Sequence, residues 1–352
     1  MQRAKNASRW FIYVVLLILF SLSMLSGCGR TGSSFNPSDG ESEFEEAIKQ
    51  SDSGTEKKTI TSGTALKQRK LKQFQRANAD TSVIENEDIK NILIVGQDRR
   101  ASQKEEMRSD SIMIFSINTI TNEINLISLM RDMYLPCADG KEGMINLTYL
   151  NGGAAMLSQT IEMNFGIHID HFIETDFWRF MDLYEQIGPV DVDLTEEEAP
   201  YLNDMTKNSF VPHYDRGDTK PVWNLHSGIN AMDPEQLLCF CRARQNLGGD
   251  WARTERQRRT IISTYNKLNS MSHAELIRMI QENGHYLNTD MDIHDMLGFF
   301  YWLKKNDIIQ INSYRIPLDG TYTQEIREGV LNVLIPQMEP NRQALQQYIY
   351  GY

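Results

Sequence analysis

The chain has 352 residues, of which 41% are hydrophobic and 24% charged, and its formal net charge is -11 at pH 7. This is a globular composition, and the acidic balance excludes nucleic acid as a general partner because the basic footprint that a phosphate backbone demands is missing. Four cysteines exclude a dense disulfide framework.

In chain order, Arg3, Lys5 and Arg9 precede an apolar run from Trp10 to Leu25, the layout of a basic region followed by a membrane-inserting segment. The run closes on Leu25-Ser26-Gly27-Cys28. This tetrad resembles a bacterial lipobox, in which the cysteine is lipidated; an uncleaved signal anchor is the alternative, since the run is just long enough to span a bilayer. Residues 1–28 are therefore a signal anchor or lipoprotein signal, and both versions put the rest of the chain outside the cell. Residues 29–87 are rich in Ser, Thr, Gly, Glu and Lys and poor in large apolar side chains, which reads as a disordered polar tether.

A single domain then runs over residues 88–352. Apolar, β-branched stretches at 91–96, 111–117 and 123–129 have strand length, and the turn at 118–122 makes the last two a hairpin. Their near-continuous hydrophobicity requires cover on both faces. Helical periodicity marks 154–164, 177–186, 251–268, 274–282 and 293–305, with Ser272 and Glu275 as a capping box. Further strands are read at 171–174, 190–194, 237–241, 308–316 and 330–335, a long surface loop at 201–223, and a closing helix at 341–350. The expected fold is α/β, a mixed central β-sheet sandwiched between helical layers. Cys137, Cys239 and Cys241 read as small buried hydrophobes.

The chemistry concentrates in Cys241 to Arg259, CRARQNLGGDWARTERQRR. Arg242 and Arg244, two apart at the end of an apolar run, share one face if that run is a strand. Arg253, Arg256 and Gln257 fall at helical spacings of three and four and also share a face. Crowded guanidinium groups repel one another unless an anion lies among them, and their paired donors suit phosphate. Arg258 and Arg259 alone read as a solvated basic helix face. Asp98 follows the first strand and Asp110 precedes the second, with Arg99, Arg100 and Arg108 nearby. On antiparallel neighbours these two carboxylates meet at one sheet edge, either as Mg²⁺ ligands beside a phosphate or as surface salt bridges. Arg131 and Asp132 end the third strand, and Asn146 and the Gly152-Gly153 pair offer amide donors where a helix opens. No GxSxG, Walker, GxGxxG or HExxH motif occurs.

Asn91 to Arg100 (NILIVGQDRR), Arg108 to Ser111 (RSDS), Arg131-Asp132, Ile145 to Gly153 (INLTYLNGG), Arg242 to Arg244 and Asp250 to Gln257 (DWARTERQ) together resemble the LytR-CpsA-Psr family. The resemblance covers Ile89 to the C-terminus. It implies a membrane-anchored enzyme that transfers teichoic acid, capsular or related polysaccharide from an undecaprenyl diphosphate carrier to peptidoglycan. It also implies Asp98 and Asp110 as ligands of Mg²⁺, with Mn²⁺ as the alternative ion, and a diphosphate clamp of Arg100, Arg131, Arg242, Arg244, Arg253, Arg256 and Gln257. Arg131, Arg244 and Arg256 would act in catalysis, with Asp132 as a candidate general base. Gln245 stands where the family often has histidine and Met130 where it often has proline. The family's lipid tail lies in an apolar tunnel, for which Phe165, Phe177, Phe180, Phe299 and Phe300 are candidates, core packing being the other account of them. A polyprenyl diphosphate pyrophosphatase and a non-catalytic wall-polymer binding or regulatory module are the competing readings.

Overall fold

The computed structural model describes residues 83–97, 108–208, 222–244, 246–283, 288–306, 308, 311–327 and 330–351. Asp98, Arg99, Arg100 and Gln245, the expected membrane segment and most of the tether lie outside the described residues.

The chain opens with β1 (Ile89–Gln97), β2 (Ser109–Asn118) and β3 (Glu123–Leu129), successive antiparallel neighbours. The side chain of Asn118 closes the β2–β3 turn by accepting from the backbone N–H groups of Ile120 and Thr121. A small ribbon of β4 (Tyr134–Pro136) and β5 (Glu142–Met144) leads into α1 (Ile145–Phe165). Then come β6 (His171–Asp176), α2 (Phe177–Ile187), β7 (Val190–Leu194), α3 (Glu198–Asn208) and β8 (Gly228–Met232). The next stretch holds α4 (Pro234–Arg242), α5 (Gly249–Ser270), α6 (His273–Asn283), β9 (Asn288–Thr289) and α7 (Ile293–Lys305). Last are β10 (Ile311–Ile316), the hairpin of β11 (Tyr322–Arg327) and β12 (Val330–Pro336), and α8 (Met338–Tyr350).

The main sheet has the order β10-β3-β2-β1-β6-β9. It is mixed, because β6 runs parallel to β1 and β10 parallel to β3. Strand alternation sends Ile92, Met113, Phe115 and Leu126 to one core, shared with Leu183 of α2, Phe240 of α4 and Leu297 of α7. Leu93, Ile112, Ile114 and Ile127 enter a second core with Leu157 and Phe165 of α1 and Leu345 of α8. The sheet thus lies between helical layers.

Three local expectations are corrected. Residues 237–241 are helical: the Asp233 side chain accepts from Gln236 N while the Gln236 side-chain oxygen accepts from Asp233 N, and Pro234 occupies the first turn. That capping box outweighs a short apolar run, which has no period of its own. The segment expected as loop from residue 201 continues α3 to Asn208. Gly152 and Gly153 do not open a helix but break one that starts at Ile145, with Gly153 at φ 67°. The renewed helix start is already taken by an internal anion, since Ala154 N donates to Glu174 Oε1 at 3.2 Å.

Candidate functional site

A cavity of about 370 Å³ opens between the sheet and α2, α5 and α7. Its walls are apolar, and it has a charged end formed by Asp110, Arg242, Arg244, Arg253 and Gln257. Phe177, Phe180, Phe299 and Phe300 line it; Phe165 does not, and is fully buried in the core on the other face of the sheet.

Strand register delivers the charged end. Gln97, the last residue of β1, pairs with Ser109, and this puts Asp110 at the rim. At Gly96 a Cβ would stand 3.0 Å from the Cβ of Ser111, so glycine lets the two strands close there. Gln97 is held from the second core by the Tyr149 hydroxyl. Arg131 extends from the end of β3 and pairs with Asp110, with Asp132 at 3.4 Å and with Asp250 at 3.6 Å. Arg108, expected beside Asp110, is exposed.

Asp250, in the first turn of α5, gathers the basic residues. Arg244 donates to its Oδ1 from Nε at 2.7 Å, and Arg253 reaches the same oxygen at 3.0 Å. Arg253 also donates to Asp110 O at 3.1 Å. Arg242 stacks over the Phe177 ring, 4.5 Å from its centroid. The structure therefore brings together Arg131, Arg242, Arg244 and Arg253 with Asp110, Asp132 and Asp250, four guanidinium groups against three carboxylates. Asp250 was missed as a site residue, although its spacing of three from Arg253 is the signal that could have found it.

Electrostatics follow from this packing. Burial, reinforced by Arg131 and Arg244, pulls Arg253 down to about 10. Arg253 is only 4% exposed, and its Nε has no acceptor among the described residues. Burial also pushes Asp132 above the usual carboxylate range, against the pull of Arg131. It would do the same to Asp250, but Arg253, Arg131 and Arg244 outweigh it and hold that carboxyl low. Arg131 is the mirror case: burial lowers it, yet Asp110, Asp132 and Asp250 keep it above its ordinary value.

Helix geometry divides the rest of the arginine segment. Arg253, Gln257, Thr260, Ile261, Thr264 and Leu268 line the cavity at spacings of three and four. Arg256 lies off that stripe and is not brought to the cluster; its donors go to Glu198, Ala243 O and Leu247 O. Arg259 pairs with the same Glu198 at 2.8 Å. Arg258 is not solvated: it is 7% exposed and donates to Ser313 Oγ at 2.6 Å and Ser128 Oγ at 2.7 Å. Asn146 is buried behind the rim, its backbone N bonded to Arg131 O at 3.3 Å.

Among the described residues no group of three or more His, Cys, Asp or Glu side chains is placed to hold a metal ion. Asp110, with its side chain a quarter exposed at the cavity rim, offers one carboxylate. That fits Mg²⁺, which takes one or two carboxylates and completes its shell from phosphate oxygens and water.

A LytR_cpsA_psr family model matches residues 49–347. The polyisoprenyl-teichoic acid–peptidoglycan teichoic acid transferase TagU of Bacillus mycoides strain KBAB4 is 28% identical over 273 residues, covering 76% of this chain and 80% of that protein. Regulatory protein MsrR of Staphylococcus aureus strain COL is 24% identical over 270 residues, covering 76% of each. The solved structure described as TagT bound to LI-WTA has a TM-score of 0.59 and 20% identity, over 78% of this chain and 98% of that one, a likeness of fold. With the model matching well over half of its length, the chain belongs to the LytR-CpsA-Psr family.

Proposed function

We propose that the protein transfers an anionic glycopolymer, a teichoic acid, capsular or related polysaccharide, from an undecaprenyl diphosphate carrier to peptidoglycan outside the cell. One observation carries this reading. A buried, acceptor-short arginine, Arg253, stands where an apolar cavity meets a cluster of arginines. A ligand with a long hydrocarbon tail and a doubly anionic head satisfies both halves at once. The printed name of TagU supports the polymer and the acceptor.

Arg242, Arg244 and Arg253 would grip the diphosphate, and Arg131 would sit where charge grows on the leaving oxygen. The acceptor hydroxyl oxygen forms a bond to the sugar-bearing phosphorus while the bond to the polyprenyl phosphate breaks. Asp132, its carboxyl held above the usual range, takes the hydroxyl proton. When bound by Asp110 and Asp98, Mg²⁺, or Mn²⁺ in its place, supplies neutralisation of phosphate charge. Among the described residues the four arginines exceed the three aspartates by one charge, so a dianionic head set among those seven side chains would leave one negative charge for a cation to offset.

The test is transfer from a polyprenyl diphosphate-linked polymer to peptidoglycan oligomers in the presence of Mg²⁺. Linked product is expected, and Asp110→Asn and Arg244→Lys should lower its rate by about a hundred- to a thousandfold. Because a base must be unprotonated, activity should fall as pH drops through the raised Asp132 pKa, and Asp132→Asn should remove that limb. Phosphate release without linkage would sink the transferase reading in favour of a pyrophosphatase, and tight polymer binding without turnover would favour a binding module.

Among the described residues no helix is long and apolar enough to cross a membrane; attachment through residues 1–28 is the reading that the apolar run from Trp10 to Leu25 and the tetrad ending at Cys28 support. Lipidation at Cys28 predicts a mature protein whose mass lacks Met1 to Gly27 and carries acyl chains, whereas a signal anchor predicts the full-length mass. Intact-mass measurement of membrane-extracted protein distinguishes them, and Cys28→Ala should replace the short form by the longer one in the first case and leave the full-length form as it was in the second.

A further inference from the structure

We propose that Arg256 and Glu198 form a clasp that positions the loop 243–247, and that they act on the bound diphosphate through Arg244 without touching it. The inference rests on the diphosphate reading of the arginine cluster. Arg256 is 3% exposed and Glu198 6%. The Arg256 guanidinium donates from Nε to Glu198 Oε1 at 3.1 Å, and from its two terminal nitrogens to Ala243 O at 3.4 Å and Leu247 O at 2.5 Å. Those two carbonyls bracket Arg244. A rigid planar fork therefore spans both ends of the segment that carries a cluster arginine.

Glu198 is itself fixed on three sides. Thr195 Oγ1 accepts from Glu198 N at 3.2 Å, and Glu198 Oε2 accepts from Thr195 N at 3.1 Å, a capping box at the start of α3. Arg259 adds a second guanidinium to Oε1 at 2.8 Å. None of these residues lines the cavity. The neighbouring Gln257, which does, binds the same backbone one step earlier by donating to Cys241 O at 3.3 Å. Two consecutive residues of α5 thus hold the end of α4 and the connection that follows it. The loop turns through Asn246 at φ 59° and Gly248 at φ 78°, and the fork ties a carbonyl near each of its ends to the buried Glu198.

Arg256→Lys keeps the charge beside Glu198, but a single nitrogen cannot reach both carbonyls. Titration of the full chain in detergent with geranylgeranyl diphosphate should show about tenfold weaker binding, with the thermal midpoint little changed. Glu198→Asp, which shortens the partner by one methylene, should behave alike and guards against a variant that fails to fold. Arg244→Ala combined with Arg256→Lys should bind no worse than Arg244→Ala alone, because the loop then has no arginine left to position. Multiplying losses, or wild-type affinity in Arg256→Lys, overturns the proposal. If the wild type binds no prenyl diphosphate, the diphosphate reading fails, and the clasp is judged by hydrogen exchange. Amides of residues 243–247 must then exchange faster in Arg256→Lys, and unchanged exchange overturns it.

Discussion

Arg253→Lys should weaken the binding of a prenyl diphosphate by about a hundredfold while the protein remains folded. The lysine keeps the positive charge but gives up the fork. In the native chain that fork reaches Asp250 Oδ1 at 3.0 Å and Asp110 O at 3.1 Å and leaves Nε over for a ligand. Losing one or two charge-assisted hydrogen bonds costs about 3 kcal/mol, which is about a hundredfold in affinity. Isothermal titration with geranylgeranyl diphosphate measures it. Unchanged affinity, with a thermal midpoint near the wild type, would remove Arg253 from the ligand site and take the head-group assignment with it.

Ile261→Trp separates the two halves of the ligand. Ile261 lies on the cavity stripe of α5, and an indole there occupies space that a hydrocarbon tail would fill. Each methylene kept out of an apolar site forfeits about 0.8 kcal/mol, so excluding four should weaken a long-chain prenyl diphosphate by about a hundredfold. Inorganic pyrophosphate, which has only the head, should bind as before. Equal losses for both ligands would mean that the substitution disturbs the arginines, and no loss for either would mean that the tail lies elsewhere.

The sheet was largely legible from sequence because its strands are long, β-branched and bounded by turns. The strand expected at 123–129, the strand at 190–194 and the helix at 293–305 have the bounds observed. Where apolar runs were short, period failed. Leu237 to Cys241 is surrounded by protein, so neither alternation nor a stripe could distinguish strand from helix; only the Asp233-Pro234-Glu235-Gln236 start decides it. The β11–β12 hairpin was half missed because Tyr322 to Arg327 is polar on its exposed edge. For the site, helical spacing put Arg253, Arg256 and Gln257 together, yet a step of three and a step of four turn in opposite senses. Arg253 and Gln257 therefore face the cavity while Arg256 faces Glu198. Asp250 was legible in the spacing of three from Arg253 within one helix, whereas Glu198, which comes to Arg256 from 58 residues away, leaves no trace in local pattern and becomes visible only when the chain is folded.

The ends of the described chain meet far from this chemistry. Ile84 N donates to Gly166 O at 2.9 Å, and the Tyr350 hydroxyl donates to Ile84 O at 2.7 Å, so both lie beyond the start of β1. The arginine cluster lies past its other end, at about 3.3 Å per residue over nine residues. The molecule therefore has a handle pole and a working pole. Coupled to a bead or a sensor surface just after α8, the described domain presents the cavity rim away from the support, and surface-bound assays can be built without shielding the residues they are meant to interrogate.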